Sequence, residues 1–258
     1  VGSRQAWFPY VTSAQVADPG AYFRDVAMPQ AALAIRAAGL LAAPSASFTG
    51  VRGLFPVITA PSPLQAWAES APLPDGPVLA VIEDLTGSGK TEAAMTLVHR
   101  LIADGRASGV FVALPTMATA NAMFARLADS YRRLFDPAAN PSLALAHGRA
   151  MLDSRFSDTI APDPDVRAAG AEGRSPTDPA DEPAEAQCAA WLAEDRRRSL
   201  LAQVGVGTLD QALLAVLPVR HAPLRQQGLA GKVLVIDEAH AFDAYMQHEM
   251  LALLRFHA

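Results

Sequence analysis

Cysteine is nearly absent from this 258-residue chain: Cys188 is the only one, so no internal disulfide can form, and a reducing cytoplasm fits. Long apolar runs are missing too. Arg36 interrupts the Ala-rich stretch that comes nearest to the length of a membrane span. Nor is there a surplus of positive charge. The formal net charge of −5 argues against a generally basic nucleic-acid coat, although a local groove depends on where charges sit. Charged residues make up only 18% and hydrophobic ones 51%, enough apolar material for the core of one large α/β domain or two small ones. The chain begins with Val1 and stops inside the helical pattern MLALLRFHA, the marks expected of a piece of a longer protein.

Against these absences stands VLAVIEDLTGSGKTEAAM, Val78 to Met95. The apolar VLAVI predicts a buried parallel strand, and KTEAAMTLVHRLI carries apolar residues at helical spacing. Between them lies a Gly-rich turn. Strand, Gly turn and helix form the context in which backbone N–H groups at a helix N-terminus cradle phosphate oxygens. Thr86, Gly87, Ser88 and Gly89 form the turn, with the glycines allowing close approach. Lys90 is expected to place a positive charge on the β and γ phosphates of ATP, and the Thr91 hydroxyl to bind Mg²⁺. The pattern GxxxxGK[ST] requires Gly at position 84, where this chain has Asp84. A Gly-rich turn that merely caps a helix is the bland alternative.

The partner half of such a site lies far along the chain. KVLVIDEAHAFDAYMQHEMLALL, Lys232 to Leu254, opens as a buried strand and ends it with DEAH. Asp237 at the strand tip can hold the Mg²⁺ hydration shell near Thr91, and Glu238 can polarise the water that attacks the γ phosphate. His240 lies where it can sense that phosphate. An acidic pair at a strand end can also be an N-cap, but its occurrence after TGSGKT, each motif behind an apolar strand, favours the nucleotide reading.

The remaining segments frame these two. Pro29 to Ala43 predicts a packing helix, and residues 1–54 a connector with no chemistry of its own. Gln65, at a predicted helix start, either caps that helix or hydrogen-bonds the adenine edge. Gly109 to Phe135 reads as a second strand, ending at Leu114, and a long amphipathic helix. Pro115 and Thr116 fall at the strand's C-terminal end, where ligands bind in open parallel sheets; Thr116 is equally suited to cap the helix. LALAHG predicts a short strand followed by His147, a structural hydrogen-bonder by default. Residues 157–187 hold eight acidic residues, two arginines and five prolines, a composition that cannot offset ordering entropy and predicts a flexible insertion. Arg196, Arg197 and Arg198 spread around a helix, a solvated face by default. VGVGTLDQALLAVL predicts a short strand, a Gly turn and a helix with a capping box of Thr208 and Gln211, Thr208 facing a ligand. Together these units predict an α/β fold: a RecA-like P-loop NTPase domain over 55–258, its mostly parallel sheet covered by helices on both faces.

TGSGKT at 86–91, LPT at 114–116, GTLDQ at 207–211 and DEAH at 237–240 resemble the ordered motifs of superfamily 2 helicases. EDLTGSGKTEAA, VGTLDQALLAVLP and DEAHAFDAYM are more particular: they resemble the CRISPR-associated helicase-nuclease of type I systems, in its subtype I-E branch. That resemblance implies an ATP-driven motor with two RecA-like domains that moves along single-stranded DNA in antiviral defence. It also implies an attached HD nuclease and a CRISPR RNA-guided surveillance complex as partner. Carried over, Gly87, Gly89, Lys90 and Thr91 bind phosphate and Mg²⁺, Asp237 assists the metal, Glu238 is the base and Gln65 reads adenine. Pro115, Thr116 and Thr208 line the DNA strand. The chain lacks an adjacent His-Asp pair, the nuclease signature, and ends before the second RecA-like domain, so little hydrolysis is expected of it alone. The generic motifs also permit a general superfamily 2 translocase, or a nucleotide-dependent interaction module without catalysis.

Overall fold

The computed structural model describes residues 18–37, 41–139, 141–146 and 199–258. His147, Cys188, the acidic segment 157–187 and Arg196 to Arg198 lie outside the described residues. The order of elements is α1 (Pro19–Tyr22), α2 (Met28–Ala37), α3 (Gly50–Leu54), α4 (Pro63–Ser70), α5 (Lys90–Ala103), β1 (Gly109–Leu114), α6 (Met117–Ala128), β2 (Leu143–Ala146), β3 (Val204–Thr208), α7 (Leu209–Leu213), α8 (Ala222–Leu229), β4 (Lys232–Ile236) and α9 (Ala244–His257). The four strands form one all-parallel sheet in the order β2-β3-β1-β4.

Burial on both faces explains why β1 carries no polar side chain. Val110, Val112 and Leu114 join one cluster with Leu54 of α3, Val98 and Ile102 of α5, and Phe124 and Leu127 of α6. Phe111 and Ala113 point the other way, into a cluster with Leu209 and Leu213 of α7, Leu229 of α8 and Leu253 of α9. Helices therefore cover both faces, as the α/β reading requires.

Three expectations fail in instructive ways. VLAVI is not a strand: residues 78–82 have no ladder partner, and Leu79 and Val81 are 73% and 74% exposed. An apolar run becomes a strand only where a neighbour takes its N–H and C=O groups, and β4 has no second neighbour among the described residues. Ile82 packs instead on Ala68, Ala93 and Leu97 of the α4–α5 pair. The glycines of VGVGT also do not form a turn. Gly205 and Gly207 lie inside β3, opposite Phe111 and Ala113 of β1. A Cβ on Gly205 would meet the Phe111 ring at 2.6 Å, and one on Gly207 the Ala146 carbonyl oxygen at 2.5 Å. Gly205 makes room for an aromatic ring above the sheet, and Gly207 for the close approach of β2. The helix predicted to reach Phe135 breaks earlier, at Ala128, with a short 3₁₀ turn over Tyr131–Leu134.

At the start of β4, the Lys232 Nζ donates to the carbonyl oxygens of Leu200 and Ala202. Burial of this head group pushes its pKa from 10.5 down to about 7. The neutral amine still supplies two N–H donors, one for each carbonyl. Between pH 7 and 10.5 the unfolded chain holds a proton that the folded chain has released. Stability therefore rises with pH across that window and is lost as pH falls toward 7. Chemical denaturation at pH 7 and pH 9.5 should show this rise, and Lys232→Met should flatten it. Phe111→Ala, which empties the space above the β3 glycines, should destabilise the fold by about 3 to 5 kcal/mol in the same assay.

Candidate nucleotide site

The site begins with the turn that opens α5. Gly87 and Gly89 have φ of 83° and 87°, in the left-handed region where a side chain is strained. Gly89 is the N-cap of α5 and supplies no side-chain cap. The first-turn N–H groups of α5 have no intrahelical acceptors, and the helix dipole adds partial positive charge there. An anion is the complement of such an end. Lys90 lies beside it, its Nζ donating to the carbonyl oxygens of Asp84 (2.8 Å) and Leu85 (3.0 Å). Asp84, the departure from the motif, has no positive φ, so the conformational freedom of Gly is not needed there. Its Oδ1 accepts the Leu85 N–H at 2.7 Å and stiffens the loop entrance.

Helix α4 is fastened to this turn. Ser62 and Gln65 form a capping box: the Gln65 N–H donates to Ser62 Oγ (3.3 Å) and the Ser62 N–H to Gln65 Oε1 (3.0 Å). Ser62 Oγ also donates to the Ser88 carbonyl oxygen at 3.0 Å. Gln65, 6% exposed, lays its amide directly against Gly89. Sequence reasoning singled out Gln65 and missed Ser62, although the S-x-x-Q spacing of a capping box was available as a signal.

The parallel sheet gathers the other residues at one edge. Leu114 is in register with Thr208, and Ala113 with Ile236, so the C-terminal ends of β1, β3 and β4 lie side by side. The Asp237 N–H extends the ladder by donating to the Ala113 carbonyl at 3.0 Å. Pro115 and Thr116 leave the end of β1. Thr116 caps α6, exchanging hydrogen bonds with Thr119 at 3.2 Å in both directions. Thr208 behaves differently from expectation. It ends β3 and is 6% exposed, and its side chain makes no cap bond to α7. Gln211 does not reach back to it: Nε2 donates to Asp210 Oδ2 at 3.3 Å, and Oε1 is buried without a partner.

Beyond β4 the chain turns sharply. Asp237 Oδ1 accepts the Glu238 N–H at 2.9 Å, and Glu238 adopts φ 53°, a left-handed conformation unusual for a residue with a Cβ. Neither acid caps the short turn at Ala239–Ala241, and α9 is capped by Asp243 instead. The exposed Glu238 Oε2 lies 3.5 Å from His240 Nδ1. The carboxylate of Asp237 and hydroxyl of Thr91 are hard oxygen donors of the kind that suits Mg²⁺, which takes few protein ligands beside phosphate and water. Helix α5 packs near β4, and Glu92 in its first turn pairs with Arg126 of α6 at 2.5 Å. On the same helix, His99 is buried against the Phe48 ring, 5.4 Å between centroids, and burial lowers its pKa.

A parallel sheet with helices on both faces, a Gly-rich turn opening a helix and acids at a strand tip define a RecA-like phosphate-loop domain. Comparison with known proteins narrows the class. The chain is 38% identical over 211 residues to the CRISPR-associated endonuclease/helicase Cas3 of Escherichia coli strain K12, covering 82% of this chain and 22% of that protein. Cas3 of Thermus thermophilus is 42% identical, over 79% of this chain and 21% of its own. The crystal structure of T. fusca Cas3 superimposes with a TM-score of 0.68 at 39% identity, covering 92% of this chain and 23% of the other. T. fusca Cas3 solved with ATP matches equally, at 0.68 and 38%, with 92% and 24% covered. No family model matches. The chain belongs to the Cas3 family of CRISPR-associated helicase/nucleases, and it spans about a fifth of the length of the curated relatives it matches.

No helix among the described residues is long and apolar enough to cross a membrane. The strained turn yields a test. Glu238→Gly and Glu238→Ala both remove the carboxylate, but only Ala keeps a Cβ at positive φ. The Gly variant should be the more stable by about 1 kcal/mol in thermal denaturation; equal melting temperatures would count against backbone strain at 238.

Proposed function

We propose that this chain is the first RecA-like motor domain of a CRISPR-associated helicase, binding ATP with Mg²⁺ and driving movement along single-stranded DNA in antiviral defence. The observation that carries the reading is the uncapped N-terminus of α5, opened by two left-handed glycines and flanked by Lys90. T. fusca Cas3 has been solved with ATP, ADP and AMPPNP, which supports a nucleotide as the ligand of this turn.

Within that reading, the turn Thr86 to Gly89 receives the phosphates, and Lys90 exchanges its two loop carbonyls for phosphate oxygens. Thr91 and Asp237 would hold the metal, which would supply charge neutralisation for the phosphates. Glu238 accepts the proton of the attacking water, and its exposed position beyond the strand tip suits it to that task. His240, beside Glu238, senses the terminal phosphate. Gln65 contacts adenine by releasing the amide it uses in the capping box. Pro115, Thr116 and Thr208 mark the sheet edge along which the DNA strand passes, with Thr116 exposed and Thr208 buried. A second RecA-like domain, an HD nuclease and a CRISPR RNA-guided surveillance complex are the further parts of the assembly.

Lys90→Ala should weaken binding of a fluorescent ATP analogue by about tenfold or more, the scale of a lost charged contact. In the full-length protein, Glu238→Gln should bind ATP normally and lose turnover by about a hundredfold or more. Normal hydrolysis by Glu238→Gln would show that the base lies elsewhere. The 258-residue chain alone should hydrolyse ATP slowly, with no stimulation by single-stranded DNA.

A further inference from the structure

Peptide orientation decides whether a Gly-rich turn attracts or repels an anion. In a planar trans peptide the C=O and the following N–H point to opposite sides. Whatever fixes the Ser88 carbonyl therefore also aims the Gly89 N–H. With both flanking glycines at positive φ, little in the local sequence fixes that plane.

The fixing group lies 26 residues upstream. Ser62 Oγ donates its proton to the Ser88 carbonyl oxygen at 3.0 Å while accepting the Gln65 N–H at 3.3 Å. One hydroxyl thus serves both as cap of α4 and as latch on the turn. Gln65 completes the arrangement from the other side: its Oε1 holds the Ser62 N–H at 3.0 Å, and its Nε2 lies where a Cβ on Gly89 would be. Rotation of the 88–89 peptide would break the first bond, and Gln65 leaves no room for a side chain at Gly89. The latch has rigid footing, because Ala68 of α4 is buried against Ala93 and Leu97 of α5, and Arg100 of α5 donates to the Ala68 carbonyl at 2.9 Å.

We propose that Ser62 is a positioning residue for phosphate binding, which holds the Ser88 carbonyl on α4 and so turns the Gly89 N–H away from α4 in readiness for an anion. The proposal rests on the nucleotide reading given above, but the latch has a readout of its own.

Three substitutions separate capping from latching. Ser62→Thr keeps donor and acceptor. Ser62→Asp keeps the capping acceptor and, as a carboxylate, has no proton for Ser88. Ser62→Ala loses both. In hydrogen exchange of the nucleotide-free chain, Ala and Asp should both speed exchange across 86–91, while Thr matches the parent. If Asp protects the turn as well as Thr does, Ser62 is only a cap and the proposal is overturned. In titrations with a fluorescent ATP analogue, Ser62→Ala should bind about three- to tenfold more weakly, the range of one lost hydrogen bond, and Thr should restore affinity. Competition by GTP and by inorganic triphosphate should weaken by the same factor, because the defect lies at the phosphates and not at the base. Unchanged affinity in Ser62→Ala overturns the proposal. A parent chain that binds no nucleotide, yet shows the expected exchange pattern, upholds the latch and overturns the nucleotide reading instead.

Discussion

A parallel strand paired on both edges and covered on both faces has no place for a polar side chain, and β1 accepts that restriction at all six positions. Its neighbours are fixed by what it presents. Phe111 excludes a side chain at Gly205 of β3, Ala146 of β2 closes the space at Gly207, and the alternating valines receive α5 and α6 on the opposite face. Because the ladder is parallel, the C-terminal ends of three strands emerge together, which brings Pro115, Thr208 and Asp237 to one edge although they are far apart in sequence. The location of the site is thus a consequence of core packing.

The turn before α5 follows a different logic. It has no strand beneath it among the described residues and takes its order from α4, through a hydroxyl and an amide that also cap that helix. The two halves thus have different kinds of support: hydrogen-bonded backbone under the acids, and side-chain bonds under the turn before α5.

Most strands were legible because burial on two faces leaves an uninterrupted apolar run. GVFVAL, LALA and KVLVI all stand where their composition predicts. VLAVI has the same composition and is not a strand, since composition reports a side chain's preference for burial and is silent about who accepts the backbone's hydrogen bonds. The glycines of β3 misled for the opposite reason: their cause lies on the two neighbouring strands, Phe111 and Ala146, invisible in a local window. Thr208 and Gln211 have the spacing of a capping box but do not form one, whereas the same spacing at Ser62 and Gln65 does, with similar extended backbone at both N-caps.

Strand β4 is half-buried along its whole length, in contrast to the complete burial of β1. Sheets open from their least protected strand, and local unfolding separates such a strand at a free energy well below that of the whole domain. Asp237 and Glu238 ride on that strand's tip. Val233 and Val235 of that strand pack on one cluster and Leu234 and Ile236 on the other, so an excursion of β4 that moves the acids also loosens both faces of the core, whereas the bonds that fasten the turn before α5 to α4 involve no residue of β4.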